Sequence, residues 1–150
     1  MKKSILVSAC LLGVNCKYNG ENNAQKKLID YFESHPDYCF IPICPEQLGG
    51  LPTPRKPCEM QQSSQKVLTQ DGEDKTFEYQ KGAAEALYIA KLAGAKLAIL
   101  KEKSPSCGVH FIYDGTFQSI KIAGQGVSAK LLSENGIEII SEEDLDEFNW

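Results

Sequence analysis

What this chain of 150 residues has little of narrows its chemistry before any motif is read. No stretch approaches the roughly 20 consecutive apolar residues that span a bilayer. The start, Met1-Lys2-Lys3, has the charge of a signal peptide. The apolar run behind it is short, broken by Ser4 and Ser8, and shows no clean cleavage site. The expectation is a buried first strand, no membrane contact and a cytoplasmic protein. Basic residues are in deficit, 16 against 20 acidic, for a formal charge of −4. A broad nucleic-acid surface needs a basic face to replace counterions, so that class of partner is excluded. A small anionic ligand held by a few local groups is not. The acidic stretch at residues 142–147 reads as a solvated helix end. Two histidines are few for a zinc enzyme, and His35, beside Pro36, reads as a surface loop residue. Six cysteines in 150 residues are too sparse for a disulfide scaffold. In a reducing compartment they point instead to metal binding or catalysis.

A hydrophobic content of 42% over this length is enough to bury a core without staples, and residues 1–150 are expected to form one domain. Ile5, Leu6 and Val7 mark a buried strand at residues 3–8. Ala24, Leu28, Tyr31 and Phe32 repeat at helical spacing as far as Pro36. Residues 40–44 form a second strand despite Pro42. Residues 45–75 carry Pro52, Pro54 and Pro57 with little periodicity, a long irregular segment of the kind that is often functional. Within it residues 66–69 suggest a small ribbon turning at Asp71-Gly72. Thr76 is the expected N-cap of the longest helix, which stops at Gly94 and lines up Ala83, Ala86, Leu87, Ile89, Ala90 and Ala93 on one face. A strand at 96–101, a hairpin across Asp114-Gly115, a helix at 126–135, a strand at 137–140 and a short helix capped by Ser141, with Asp144 completing the box, close the chain. Strands alternating with helices predict a Rossmann-like α/β fold, its mostly parallel sheet covered by helices on both faces.

Three of the cysteines sit in equivalent places. Ser8-Ala9-Cys10-Leu11-Leu12-Gly13, Ile43-Cys44-Pro45-Glu46 and Lys103-Ser104-Pro105-Ser106-Cys107-Gly108 each follow an expected strand, as a loop bearing glycine or proline. In open α/β sheets the ligand crevice lies outside the carboxyl ends of the strands. Parallel strands therefore deliver Cys10, Cys44 and Cys107 to one edge. Three thiolates serve three irons of a cubane and leave the fourth open, and a cysteine followed by proline recurs around iron–sulfur ligands. A closed site would take a fourth thiol from Cys16, Cys39 or Cys58. Cys39 is expected to be a buried core thiol.

These segments carry a resemblance. The Cys10 loop, the run Cys44-Pro45-Glu46-Gln47-Leu48-Gly49-Gly50-Leu51-Pro52-Thr53-Pro54-Arg55, the Ser104-Pro105-Ser106-Cys107-Gly108 loop and Tyr113-Asp114-Gly115-Thr116-Phe117 resemble, in the same order and over nearly the whole chain, the thiouracil desulfidase family. The resemblance implies a [4Fe-4S] cluster held by Cys10, Cys44 and Cys107, whose unique iron takes sulfur from a thiolated pyrimidine. The chain departs from the family at Lys17-Tyr18-Asn19-Gly20, where Arg-Tyr-Asp-Gly is common, and at Cys58, where a non-cysteine is expected.

The residue types suit that chemistry. A thiocarbonyl sulfur is soft and suits iron, whereas the oxygen of the product does not. Sulfur on iron makes the ring carbon electrophilic, and the water that attacks it needs a base. Glu46, two residues from Cys44, is the expected base, and Ser104, three residues before Cys107, is expected to hydrogen-bond the water or the ring. Arg55 offers a planar fork for a carboxylate or phosphate. Tyr18 is a candidate to stack on a base. Lys101 and Lys103 are placed to balance anionic thiolates. Gly124-Gln125-Gly126 ahead of a helix is a weaker candidate for an anion seat. The expected partner is a small thiopyrimidine, 2- or 4-thiouracil or its nucleoside or nucleotide, hydrolysed with release of sulfide. Competing readings are a structural zinc held by four cysteines and a thiol redox sensor without catalytic activity. Nothing in the sequence specifies an oligomeric state.

Overall fold

In the computed structural model, which describes residues 2–148, four apolar runs pair into one parallel sheet. They are β1 (Lys3–Ser8), β2 (Tyr38–Ile43), β5 (Leu97–Leu100) and β8 (Glu138–Ser141), in the spatial order β2-β1-β5-β8. Central β1 pairs with β2 on one side and β5 on the other, with Ile5 opposite Phe40 and Leu97. A central parallel strand is covered on both faces, so Ile5, Leu6 and Val7 are all buried although successive side chains point opposite ways. Leu6 joins Ala98 and Leu100 under α3 (Thr76–Ala93) and α4 (Val127–Glu134). Ile5, Val7 and Ile99 pack on the other face against Leu28 and Phe32 of α1 (Lys26–Ser34). Helices on both faces of a parallel sheet are the expected architecture. Pro42 lies opposite Val7 on β2, an edge strand, where a missing donor is tolerated.

The long irregular segment is more ordered than its sequence suggests. It holds α2 (Pro45–Leu48) and a ribbon of β3 (Cys58–Met60) with β4 (Val67–Thr69), Cys58 opposite Thr69. Glycine creates room for α2. A Cβ on Gly49 would lie 1.9 Å from the Glu78 carbonyl oxygen, and one on Gly82 equally close to the Pro45 carbonyl oxygen. Backbone therefore meets backbone where α2 crosses α3, at a spacing that only glycine at both positions allows.

Several local expectations are corrected. Thr76 is the first residue of α3 rather than its cap: its hydroxyl accepts from Val67 N–H at 2.9 Å, and Asp74 accepts from Thr76 N–H. The helix does end at Gly94, in the left-handed conformation with φ +68°. The hairpin forms as β6 (Phe111–Tyr113) and β7 (Lys121–Ala123), with a longer connection than a two-residue turn. Glu59 Oε1 holds that connection by accepting from Gly115 and Phe117 N–H. Cys39 is exposed, not buried, because it falls at the start of an edge strand ahead of the covered Ile41 and Ile43. His35 is half-buried and stacks on Tyr31 with ring centroids 3.7 Å apart. The capping box at Ser141 and Asp144 is present, but the acidic stretch is no free helix end. Glu142 pairs with Lys101 at 3.0 Å and also accepts from Glu102 N–H, and Asp144 bonds His110. No helix among the described residues is long and apolar enough to cross a membrane.

Candidate active site

The chain direction switches at β1, and the crevice at such a point lies beyond the carboxyl ends of the strands. Three loops leave β1, β2 and β5 there. Past β1 the chain makes a 3-10 turn, Ala9–Leu12, and reverses at Gly13 with φ +96°. This fixes Cys10, whose thiol is pushed above its usual range by burial, against a lowering hydrogen bond from the Asn23 side chain. Past β2, Cys44 stands at the N-cap of α2, with Pro45 in the first turn where a missing N–H is harmless. The Gly49–Gly82 crossing pins that helix, and Glu46 follows Cys44 on its first turn. Gly50, at φ +98°, then turns the chain so that Arg55 comes back beside Glu46.

The third loop is held from two sides. Glu102 is 2% exposed, and its Oε1 accepts from the N–H groups of Val109, His110 and Phe111 at 2.8, 2.9 and 3.1 Å and more loosely from Lys103. From the other side the first turn of α4 donates into the loop: Val127 to the Pro105 carbonyl, Ser128 and Ala129 to that of Ser106. The expected anion seat at Gly124-Gln125-Gly126 is thus filled by the protein's own carbonyl groups. Gly126 packs so tightly there that a Cβ would lie 2.4 Å from the Ser106 carbonyl carbon. Cys107, 3% exposed, is the result; burial pushes its thiol well above the usual range.

The three loops enclose a cavity of about 580 Å³, lined by Cys10, Cys44 and Cys107 and also by Cys16 and Cys58. All six cysteines are free thiols. Cys10 feels the charge of Cys44, and Cys107 that of Cys10, so the three expected thiols share one electrostatic environment. The sequence did not single out the neighbourhood of Cys16. Cys44 Sγ donates to the Cys16 carbonyl at 3.8 Å, and the neighbouring Cys16 thiol lowers that of Cys44 while its own is raised.

Glu46 and Ser104 both line the cavity. Glu46 is nearly buried: Oε2 lies 3.3 Å from Arg55 Nη2, and Oε1 accepts from the Ser106 hydroxyl at 2.5 Å. Arg55 is committed to the protein, donating also to the Cys16 carbonyl at 2.9 Å and Thr53 Oγ1 at 3.0 Å, so it positions Glu46 rather than awaiting a ligand anion. Ser104 Oγ accepts from the N–H groups of Ser106 and Cys107 at 3.2 and 3.1 Å, which shapes the turn, and pairs with Ser106 Oγ at 3.0 Å. Lys101 and Lys103 line the cavity, Lys101 already paired with Glu142. Tyr18 stands at the mouth, 43% exposed, and is not a core packing residue. Sequence reasoning missed Ser106, hidden as the second serine of Ser-Pro-Ser-Cys, and Asn23, which nothing in the local pattern marks.

The donor set suits a cluster. Among the described residues no three histidine, cysteine or carboxylate side chains close on a point that would hold a single ion. A cubane is bound differently, each thiolate serving its own iron, so its ligands need to line one cavity rather than close on a single point. Volumes of this order also accommodate a small-molecule ligand.

Residues 5–144 match the 2-thiouracil desulfurase family. The uncharacterized protein YbbK of Bacillus subtilis (strain 168) is 44% identical over 151 residues, covering 95% of this chain and 98% of its own length. The solved structure of the [4Fe-4S]-dependent thiouracil desulfidase TudS superposes with a TM-score of 0.88 at 40% identity, covering 97% of this chain and 95% of that one. On the length and level of these matches the chain belongs to the 2-thiouracil desulfurase family.

Proposed function

We propose that this protein is a [4Fe-4S]-dependent thiouracil desulfidase that hydrolyses a thiolated pyrimidine and releases sulfide. One observation carries the reading: three thiols from the ends of three neighbouring parallel strands line the same cavity as a nearly buried carboxylate tied to an arginine. Cys10, Cys44 and Cys107 would hold the cluster, which supplies a Lewis-acidic iron for the soft thiocarbonyl sulfur. Glu46 takes the proton of the attacking water at Oε1 or Oε2, with Arg55 keeping the carboxylate aimed into the cavity. Ser104, on the opposite loop, acts through Ser106 rather than on the water directly: its Oγ accepts from the N–H groups of Ser106 and Cys107 and pairs with Ser106 Oγ. Tyr18, Tyr113 and Phe117 line the same cavity and offer aromatic faces to a pyrimidine. In balance, water adds at the carbon and gives one proton to Glu46; the carbon–sulfur bond breaks as the added hydroxyl becomes the carbonyl and its proton passes to sulfur, which leaves as hydrosulfide, and Glu46 passes its own proton to solvent. We read residues 1–150 as one desulfidase domain, working on a free small molecule in the cytoplasm, where reducing conditions keep its thiols free.

The zinc reading has less support, since a closed site needs four ligands about 2.3 Å from one ion. The test is anaerobic reconstitution followed by a screen of 2- and 4-thiolated uracils, nucleosides and nucleotides. A brown protein that releases sulfide from at least one of them is expected. A colourless protein with one tight zinc and no turnover overturns the proposal.

A further inference from the structure

We propose that Ser106 is a positioning residue of the desulfidation site: its hydroxyl proton is committed to Glu46 Oε1 and withheld from the neighbouring Cys107 sulfur. This rests on the reading of Glu46 as base and Cys107 as ligand. Ser106 is fully buried and does not line the cavity, so it touches no substrate. Its hydroxyl has three polar neighbours, Glu46 Oε1 at 2.5 Å, Ser104 Oγ at 3.0 Å and Cys107 Sγ at 3.4 Å. It has a single proton to share among them. An ionised carboxylate only accepts, and the contact to it is the shortest of the three, so the proton goes to Glu46.

The backbone fixes the rest of the order. Ser104 Oγ already accepts from two N–H groups, so its own proton is directed at Ser106 Oγ. A chain of donors therefore runs Ser104 to Ser106 to Glu46, behind the cavity wall, and links two cavity-lining groups of different loops. With Arg55 on Oε2 and Ser106 on Oε1, both oxygens of the carboxylate are tied. The α4 first turn and Gly126 clamp the Ser106 backbone, so the hydroxyl is a rigid anchor. The bond matters to the cluster as well, because hydrogen bonds to cluster sulfurs set its potential. If the carboxylate withdraws, the Ser106 proton is free to turn to the Cys107 sulfur.

The test uses full-length protein reconstituted anaerobically, with iron content, reduction potential and steady-state kinetics read on the same preparations. Ser106→Ala is expected to keep the cluster and its potential and hold KM within about twofold. It should lower kcat by roughly tenfold or more, the scale of one hydrogen bond to a charged group. Glu46→Asp keeps the charge but draws the carboxylate back from Ser106, so the potential should rise. In the double variant that rise should vanish. A parent-like kcat in Ser106→Ala overturns the proposal, as does a potential that falls in Ser106→Ala alone, since the hydroxyl would then already serve the sulfur. If Ser106→Ala does not load, an unchanged potential in Glu46→Asp overturns it independently. These potentials do not depend on turnover. A loaded protein that desulfurates nothing would refute the enzymatic reading while leaving the assignment of the Ser106 proton testable.

Discussion

The two ends of the parallel sheet each open onto a cavity of similar size, about 580 Å³ at the carboxyl ends and about 540 Å³ at the amino ends. Lysines line both, but cysteines line only the first. The amino-end cavity is lined by Lys2, Lys3 and Lys96 together with Ala93 and Gly94, where α3 finishes. Lysines near a helix C-terminus meet its exposed carbonyl groups, a surface arrangement worth a few tenths of a kcal/mol to ~1 kcal/mol. The carboxyl end receives the starts of α2 and α4, and five cysteines. Along with the neighbouring Cys16 thiol, a backbone hydrogen bond from Gln47, on α2, lowers the Cys44 thiol, whereas the first-turn N–H groups of α4 are spent on the carbonyl groups of Pro105 and Ser106. Cavity size therefore says little here, and strand direction says much: a parallel sheet has one edge suited to anionic ligands of a metal and one that is not.

The comparison breaks most visibly at the thiols. Replacing Cys10, Cys44 or Cys107 by serine should abolish cluster binding, read as loss of iron and of the broad absorbance of thiolate-ligated iron. The same change at Cys16, Cys39 or Cys58 should leave most of it, and Lys3→Ala or Lys96→Ala at the other edge should leave all of it. Loss of the cluster in Cys16→Ser would make Cys16 a fourth ligand and close the site. Next in size is Glu46→Gln, which keeps shape but cannot accept a proton. Sulfide release should fall by roughly 10²–10⁴-fold with the cluster intact. Release at the parent rate would remove Glu46 as the base.

A third effect concerns what holds the carboxyl edge in shape. Glu102→Ala leaves the N–H groups of Val109, His110 and Phe111 without their acceptor inside the protein. Only the Val109 N–H is buried, and an orphaned buried donor costs about 1–3 kcal/mol, while water can reach the part-buried N–H groups of His110 and Phe111, so the apoprotein should lose about 1–3 kcal/mol. The shift of the urea midpoint measures it, and a loss under about 1 kcal/mol would mean that water replaces the carboxylate.

Much of this edge was legible beforehand because its cues are local. A strand followed by a glycine- or proline-bearing loop with a cysteine can be read three times in the sequence, and parallel pairing then sends all three the same way. The cues fail where a partner is distant in sequence. Glu102 looks like any surface glutamate until residues 109–111 fold back over it. Ser106 and Ser104 are alike in sequence, and only the approach of Glu46, sixty residues away, separates them. Gly49 and Gly82 read as a turn residue and a weak point in a helix, yet each exists for the other's backbone. Thr76 looked like a cap because the pull of Val67 on its hydroxyl is tertiary. Cys39 looked buried because composition cannot reveal that its strand lies at an edge.

The smallest effect is the tie between the third cysteine loop and the chain's last turn, His110 Nε2 to Asp144 Oδ2 at 2.8 Å. The hydrogen bond and charge of Asp144 raise the His110 pKa above its ordinary value near 6.5. Burial alone would raise Asp144, but the Ser141 N–H and His110 outweigh it and bring it below its ordinary 3.8. A raised histidine contributes stability that is full below about 6.5 and fades as pH rises through its folded value. A lowered carboxylate contributes stability that is full above about 3.8 and fades as pH falls through its folded value. The pair is therefore at full strength between about pH 4 and 6.5. His110 is about half exposed, so solvent screening limits the gain to roughly 0.2–1 kcal/mol. His110→Asn should lower the urea midpoint of the apoprotein slightly at pH 5.5 and leave it unchanged at pH 9, where the histidine is neutral in both states. An equal loss at both pH values would mean that the imidazole matters through packing rather than charge. A loss confined to pH 9 would contradict the sign of the raised pKa.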